Sequence, residues 1–204
     1  MPEASQDRRG AAGGTRDERT TRADTSRAAR LNHRLSRGLA ASSEHPFFIM
    51  RYWLFKTEPS AYSFERLQRE KVTPWSGVRN HQARNNMLEM RMGDLGFFYH
   101  SSIAEPAAVG ICRVVKEAYP DFTAWERGGE YYDPRSKPER PVWQMVDVEY
   151  VEPLPHPVTL AQMRNEPRLV GMELLKKGSR LSVQPVTPHE WKIVMELSES
   201  LRLR

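Results

Sequence analysis

Residues 73–87, TPWSGVRNHQARNNM, set an indole beside a Ser-Gly turn and follow it with two guanidinium groups and several side-chain amides. Nothing in the stretch spells a nucleophile motif, a metal site or a phosphate loop. Rings stack, and amides and guanidinium groups donate and accept hydrogen bonds, so the chemistry on offer is recognition. An aromatic wall, polar groups that meet base edges and a few cations for phosphate are the parts of a pocket for an unstacked base. Stacking contributes about 1–3 kcal/mol per base, comparable to the few kcal/mol needed to draw one out of a duplex.

Signatures of catalysis are sparse. The chain carries no GxGxxG, Walker loop, HExxH or CxxC. Its six histidines are scattered without metal-ligand spacing. His100 and Ser101 are sequence neighbours on a strand, which sends their side chains to opposite faces and prevents a base–nucleophile pair. Cys112 lies in an apolar run, where a buried, inert thiol is expected. Glu126, Glu130 and Asp133 read as a solvated loop face. The sequence therefore predicts no catalytic residue, no metal and no cofactor.

The formal charge is +5, unevenly spread. Residues 1–49 hold nine Arg, no Lys and six acids; the remainder holds 22 basic and 20 acidic groups. Affinity for a polyanion in the second part must then come from a local patch. Residues 1–49 lack an apolar core and a secretory h-region, and are expected to be a disordered extension ahead of a domain at 50–200. The one cysteine excludes an internal disulfide and fits a reducing compartment. No apolar run approaches a membrane span.

The elements that must position the polar stretch can be read in turn. RYWLFKTEP is a buried strand closed by Pro59, and SFERLQRE a helix capped by Ser63 with Phe64 and Leu67 inward. Asn80–Met92 reads as a helix with Ala83, Met87, Leu88 and Met92 on its inner stripe. LGFFYHSS and AAVGICRVV are strands, the latter central. PVWQMVDVEYVEP alternates with Val142, Val146, Val148 and Tyr150 on one face, and Pro153, Pro155 and Pro157 then predict an extended connection. Short helices are expected over 159–164 and 172–177, a strand over RLSVQPV, and a last helix with Thr187, Pro188 and Glu190 at its start. Trp53, Phe55, Phe97 and Trp191 fall in periodic elements and read as core. Trp75, placed in a turn between Pro74 and Ser76, could be either core or pocket. AYPD at 118–121 and YYDP at 131–134 are further aromatic-bearing turns. The pattern is α+β, a curved, mixed or antiparallel sheet flanked by helices.

The motifs YWLFKTEP, WSGVRNHQARNNM, GDLGFFYHSS, VGICRVVKEAYPD, YYDPRSKPERPVWQMVDVEYV and RLSVQP, in this order over about residues 51–199, resemble the EVE domain family. The resemblance implies a PUA-like, partly closed β-barrel with helices, related to the YTH readers of methylated adenine. It implies a non-enzymatic reader of modified nucleobases, foremost modified cytosine in DNA, with modified RNA as the alternative. A hydrolase acting on nucleic acid, or a protein-interaction domain, are the competing classes.

Carried over by position, the resemblance makes Trp75 the cage aromatic and Ser76, Gly77 and Val78 the adjoining wall. Asn80 becomes a base-edge or positioning contact, and Arg79 and Arg84 phosphate contacts or loop braces. Lys56, Thr57 and Glu58 border the pocket; Glu58 either accepts from a cytosine amine or pairs with an internal Arg such as Arg79. Tyr99, His100 and Ser101 form the opposite wall, with Tyr119 and Asp121 at an edge. The implied partner is DNA with modified bases, with RNA as the alternative, in the cytoplasm of a bacterium or the nucleus of a eukaryote; a monomer is the default expectation.

Overall fold

Two long strands organise the domain. The computed structural model describes residues 50–200; the expectation about residues 1–49 lies outside them. Strand β4 (Ala107–Pro120) and strand β5 (Gln144–Thr159) pair antiparallel along most of their lengths, with four register shifts. Each shift bends the ladder and adds twist, so the sheet curves. The full order is β2-β5-β4-β3-β1-β6, with β1 (Tyr52–Thr57), β2 (Val72–Trp75), β3 (Leu95–His100) and β6 (Val183–Val186). β1 and β3 run parallel and the other pairs are antiparallel. The hydrogen-bonding ladder stays open between β2 and β6. This is the α+β, PUA-like arrangement that the sequence implied.

Both faces of the centre are covered. Every residue of β3 is buried, because Phe97 and Phe98 point to opposite sides. Phe97 stacks on Trp191 at 4.0 Å, which brings in helix α4 (Pro188–Ser200). Phe98 meets Phe64 of helix α1 (Phe64–Glu70) and the edge of Trp75. Helix α2 (His81–Leu88) adds Ala83 and Met87 to the same cluster. Helix α3 (Leu160–Arg164) follows β5 directly, its capping box built from Thr159 and Gln162.

Local signals placed most ends correctly. Ser63 accepts from the Arg66 N–H, and Thr187 and Glu190 form the reciprocal capping pair at α4. Four expectations are corrected. Helix α2 stops at Leu88, and Leu88 and Met92 are exposed while Asn86 and Met90 are buried. Asn86 faces inward because its amide donates to the Val183 carbonyl on β6 at 2.8 Å. The prolines at 153–157 lie within β5 itself; β2 pairs only with Val146–Glu149, so beyond that β5 has one neighbour and tolerates residues without an N–H. Residues 172–177 give only a 3-10 turn, Glu173–Leu175. Among the described residues no helix is long and apolar enough to cross a membrane.

Candidate functional site

β1 and β2 deliver their ends to one cavity. Thr73, Pro74 and Trp75 come from β2, and Lys56 and Thr57 from the end of β1 with Glu58 just beyond. The turn after β2 adds Ser76, Gly77 and Val78, and the cavity they enclose measures about 480 Å³. That is within the range of small-ligand sites and ample for one nucleobase. Seven of the residues proposed from sequence are thus brought together.

Trp75 is corrected in position. It is the last residue of β2, opposite Val146, and not part of a turn. The indole is 8% exposed and meets Phe55 and Phe98 edge-on at 5.1 and 5.5 Å. It therefore serves both core and cavity: one side packs, and the other forms part of the lining.

Two further rings complete the wall. Tyr62 enters from the turn before α1, where Ala61 and Tyr62 both donate to the Glu58 carbonyl. Its hydroxyl donates to Glu70 at 2.7 Å, Arg66 lies over its ring, and burial pushes its pKa up to about 12. Tyr131 enters with Glu130 from the loop between β4 and β5. Burial, assisted by the nearby Glu130 carboxylate, also raises the Tyr131 phenol. Sequence reading marked the 131–134 turn as aromatic but did not join it to the pocket, and it gave no sign for Tyr62.

A buried ionic knot fixes the Gly77 turn. Asp121 is wholly buried; its Oδ2 accepts from the Gly77 N–H at 2.9 Å and from Arg79 Nη1 at 2.7 Å, and its Oδ1 accepts from Thr123. Arg79 also donates to the Val78 and Tyr131 carbonyls and to the Thr123 hydroxyl. All five guanidinium N–H groups have partners, so Arg79 braces the loop and has no donor left for phosphate. Asp121 lies behind the wall and positions Gly77.

Other sequence candidates fall elsewhere. Asn80 caps α2, its Oδ1 accepting from the Gln82 and Ala83 N–H groups. Arg84 donates to the Val142 carbonyl and the Asn85 side chain, away from the cavity. His100 is buried under α1, its Nε2 accepting from the Phe64 N–H at 3.1 Å. Tyr119 donates to Asp147, with the Lys116 ammonium over its ring, because β4 continues through Pro120 and pairs Tyr119 with Met145. Tyr99 and Ser101 line a different cavity that shares only Lys56 with this one. None of these forms an opposite wall. Glu58 accepts from the Ser102 hydroxyl at 2.8 Å, and Arg79 pairs with Asp121 instead.

Electrostatically the cavity is mixed. Lys56 is half-buried, and desolvation lowers its pKa. Glu58 and Glu130 add two acidic residues to the lining. Among the described residues no group of three or more His, Cys, Asp or Glu could hold a metal ion. Cys112 is buried with its thiol pushed far up by desolvation, so it offers no thiolate.

Comparison with known proteins bears on the family and the fold. A sequence model of the EVE domain matches residues 51–197. Thymocyte nuclear protein 1 of Homo sapiens is 38% identical over 170 residues, 74% of this chain and 75% of that one. An uncharacterized Schizosaccharomyces pombe protein, C21.03c, is 41% identical over 165 residues, 73% and 69% of the two chains. Among solved structures, a hypothetical protein from Leishmania major superposes with a TM-score of 0.72 at 41% identity, covering 75% of this chain and 97% of that one. Human THYN1, solved in complex with DNA containing 5-methylcytosine, superposes with a TM-score of 0.69 at 38% identity, covering 73% and 98%.

Proposed function

The chain belongs to the EVE domain family, and on that premise we propose that it reads a modified nucleobase in DNA, 5-methylcytosine foremost, by holding the base in the cavity at the ends of β1 and β2. The observation that carries this reading is the cavity's lining: three aromatic side chains, Tyr62, Trp75 and Tyr131, set among hydrogen-bonding groups. The kinship with human THYN1, solved with 5-methylcytosine-containing DNA, supports the choice of ligand.

Each group has a part. The aromatic side chains supply stacking and apolar contact for the base and its methyl group. Glu58 and Glu130 are acceptors for the exocyclic amine that cytosine has and thymine lacks. Lys56 and the polar groups of Ser76 and Gly77 serve the remaining base edge. Arg79 and Asp121 hold the wall without touching the base. The site works as a binding module: His100 already accepts a backbone N–H, and the Cys112 thiol is sealed in the core.

A fluorescence-polarisation panel tests this. Short duplexes with a central cytosine, 5-methylcytosine or 5-hydroxymethylcytosine are titrated with the full chain, alongside RNA with and without methylated adenine. Tighter binding of a modified-cytosine duplex is expected. Preference for the methylated RNA would move the substrate class to RNA, and equal binding of all probes would overturn the reading.

A further inference from the structure

Lys56 also lines a second cavity. This space, about 410 Å³, lies between the end of β3, helix α3 and the turn at residues 174–179. Its lining includes four cations, Lys56, Arg164, Lys176 and Lys177, and no carboxylate. Lys176 is paired with Glu173. Arg164 and Lys177 make no ion pair or hydrogen bond to another described side chain.

The floor is built as well as charged. Tyr99 is 2% exposed, lines the cavity and uses its hydroxyl in no hydrogen bond among the described residues. Burial pushes its pKa up to about 12, with Arg164 close enough to oppose the shift. The phenol is therefore a neutral donor at working pH. Lysines, a guanidinium and a buried phenol without carboxylates supply donors and positive charge, the requirement of a phosphate group.

We infer that this cavity holds a phosphate group, and that the phosphate is the backbone diester of the strand whose base enters the neighbouring pocket. The shared Lys56 argues for the strand over a separate small phosphate, because it makes the two spaces adjacent. Arg164 and Lys177 provide the charge, and Tyr99 the directed hydrogen bond. The inference rests on the base-reading proposal for its choice of strand, and the test separates the two.

The experiment measures affinity against salt for the full chain on matched cytosine and 5-methylcytosine duplexes. Arg164→Gln combined with Lys177→Gln is expected to weaken both probes by the same factor and to reduce the slope of log K against log salt by about one. Arg164→Lys alone should keep most of the slope, and so should Lys192→Gln on α4, which removes one charge from a residue that lines neither cavity. Tyr99→Phe should weaken both probes about tenfold, as loss of a hydrogen bond to a charged group would. Slope and affinity unchanged in the double variant, with no resonance shifts on addition of inorganic phosphate, would overturn the site. A reduced slope in a protein without methylation preference would keep the phosphate site and remove base reading. Inorganic phosphate, followed through the Ser101, Gly178 and Ser179 amide resonances, covers the other source. Shifts there with an unchanged DNA slope would overturn the strand assignment in favour of a small phosphorylated ligand.

Discussion

The Tyr131 ring lies so close over Gly77 that a Cβ on the glycine would stand 2.8 Å from the ring's Cζ. The two residues are 54 positions apart, and their contact forms one corner of the cavity. Gly77 also has φ of +77°, a conformation other residues adopt with strain.

Gly77→Ala is therefore expected to act twice. The backbone term costs about 1–2 kcal/mol, and the Tyr131 ring must shift. Urea denaturation should show the stability loss, and methylated-probe affinity should fall more than unmodified-probe affinity. A variant of unchanged stability and preference would show that the corner has no such role.

Removal of the Asp121 carboxylate should be more damaging. Asp121→Ala leaves Arg79, whose side chain is 23% exposed, without its counter-ion and releases the Gly77 N–H. Breaking a buried pair from one side typically costs about 3–5 kcal/mol. The midpoint of denaturant unfolding measures this directly; a change within about 0.5 kcal/mol, the level of ordinary surface substitutions, would contradict the knot.

His100 should make the domain acid-sensitive. Desolvation holds its pKa below the ordinary 6.5, opposed weakly by Glu65, and its neutral Nε2 accepts the Phe64 N–H. The folded state thus takes up its proton at lower pH than the unfolded chain. The stability this provides is present above the unfolded value and lost as pH falls through the folded one. His100→Gln, which keeps an acceptor but does not titrate, should flatten the fall in thermal midpoint between neutral and mildly acidic pH. An identical pH profile in both proteins would exclude the histidine as its source.

Local chemistry explains which parts of this were legible in the sequence. Ser63, Thr187 and Glu190 announce helix starts because a cap is satisfied within three residues. The β1 strand could be read from its apolar run closed by Pro59, whereas the placing of WSGV beside a pocket came only through the family resemblance. Asn86 could not, since its inward face depends on a carbonyl 97 residues away. Arg79 looked like a phosphate ligand because its partners at 121–131 are invisible to spacing. Trp75 looked like a turn residue because Pro74 breaks a strand in the abstract, yet here it sits in an edge strand, where proline is tolerated. Tyr62 and Tyr131 reach the cavity only through the curvature of the sheet and the return of the long β4–β5 loop.

The central claim is that the cavity selects the modified base, and Tyr131→Ala tests it most directly. Trp75→Ala is less clean, because the indole belongs to the core and its truncation would cost about 3–5 kcal/mol of stability. Matched duplexes with cytosine or 5-methylcytosine are titrated with the full chain and with Tyr131→Ala by fluorescence polarisation. The expected result is a preference of at least about tenfold for the methylated probe, about 1.4 kcal/mol, which Tyr131→Ala removes while leaving salt-dependent binding in place. Equal binding of the two duplexes by the unaltered chain, or a preference that survives the substitution, would contradict the claim.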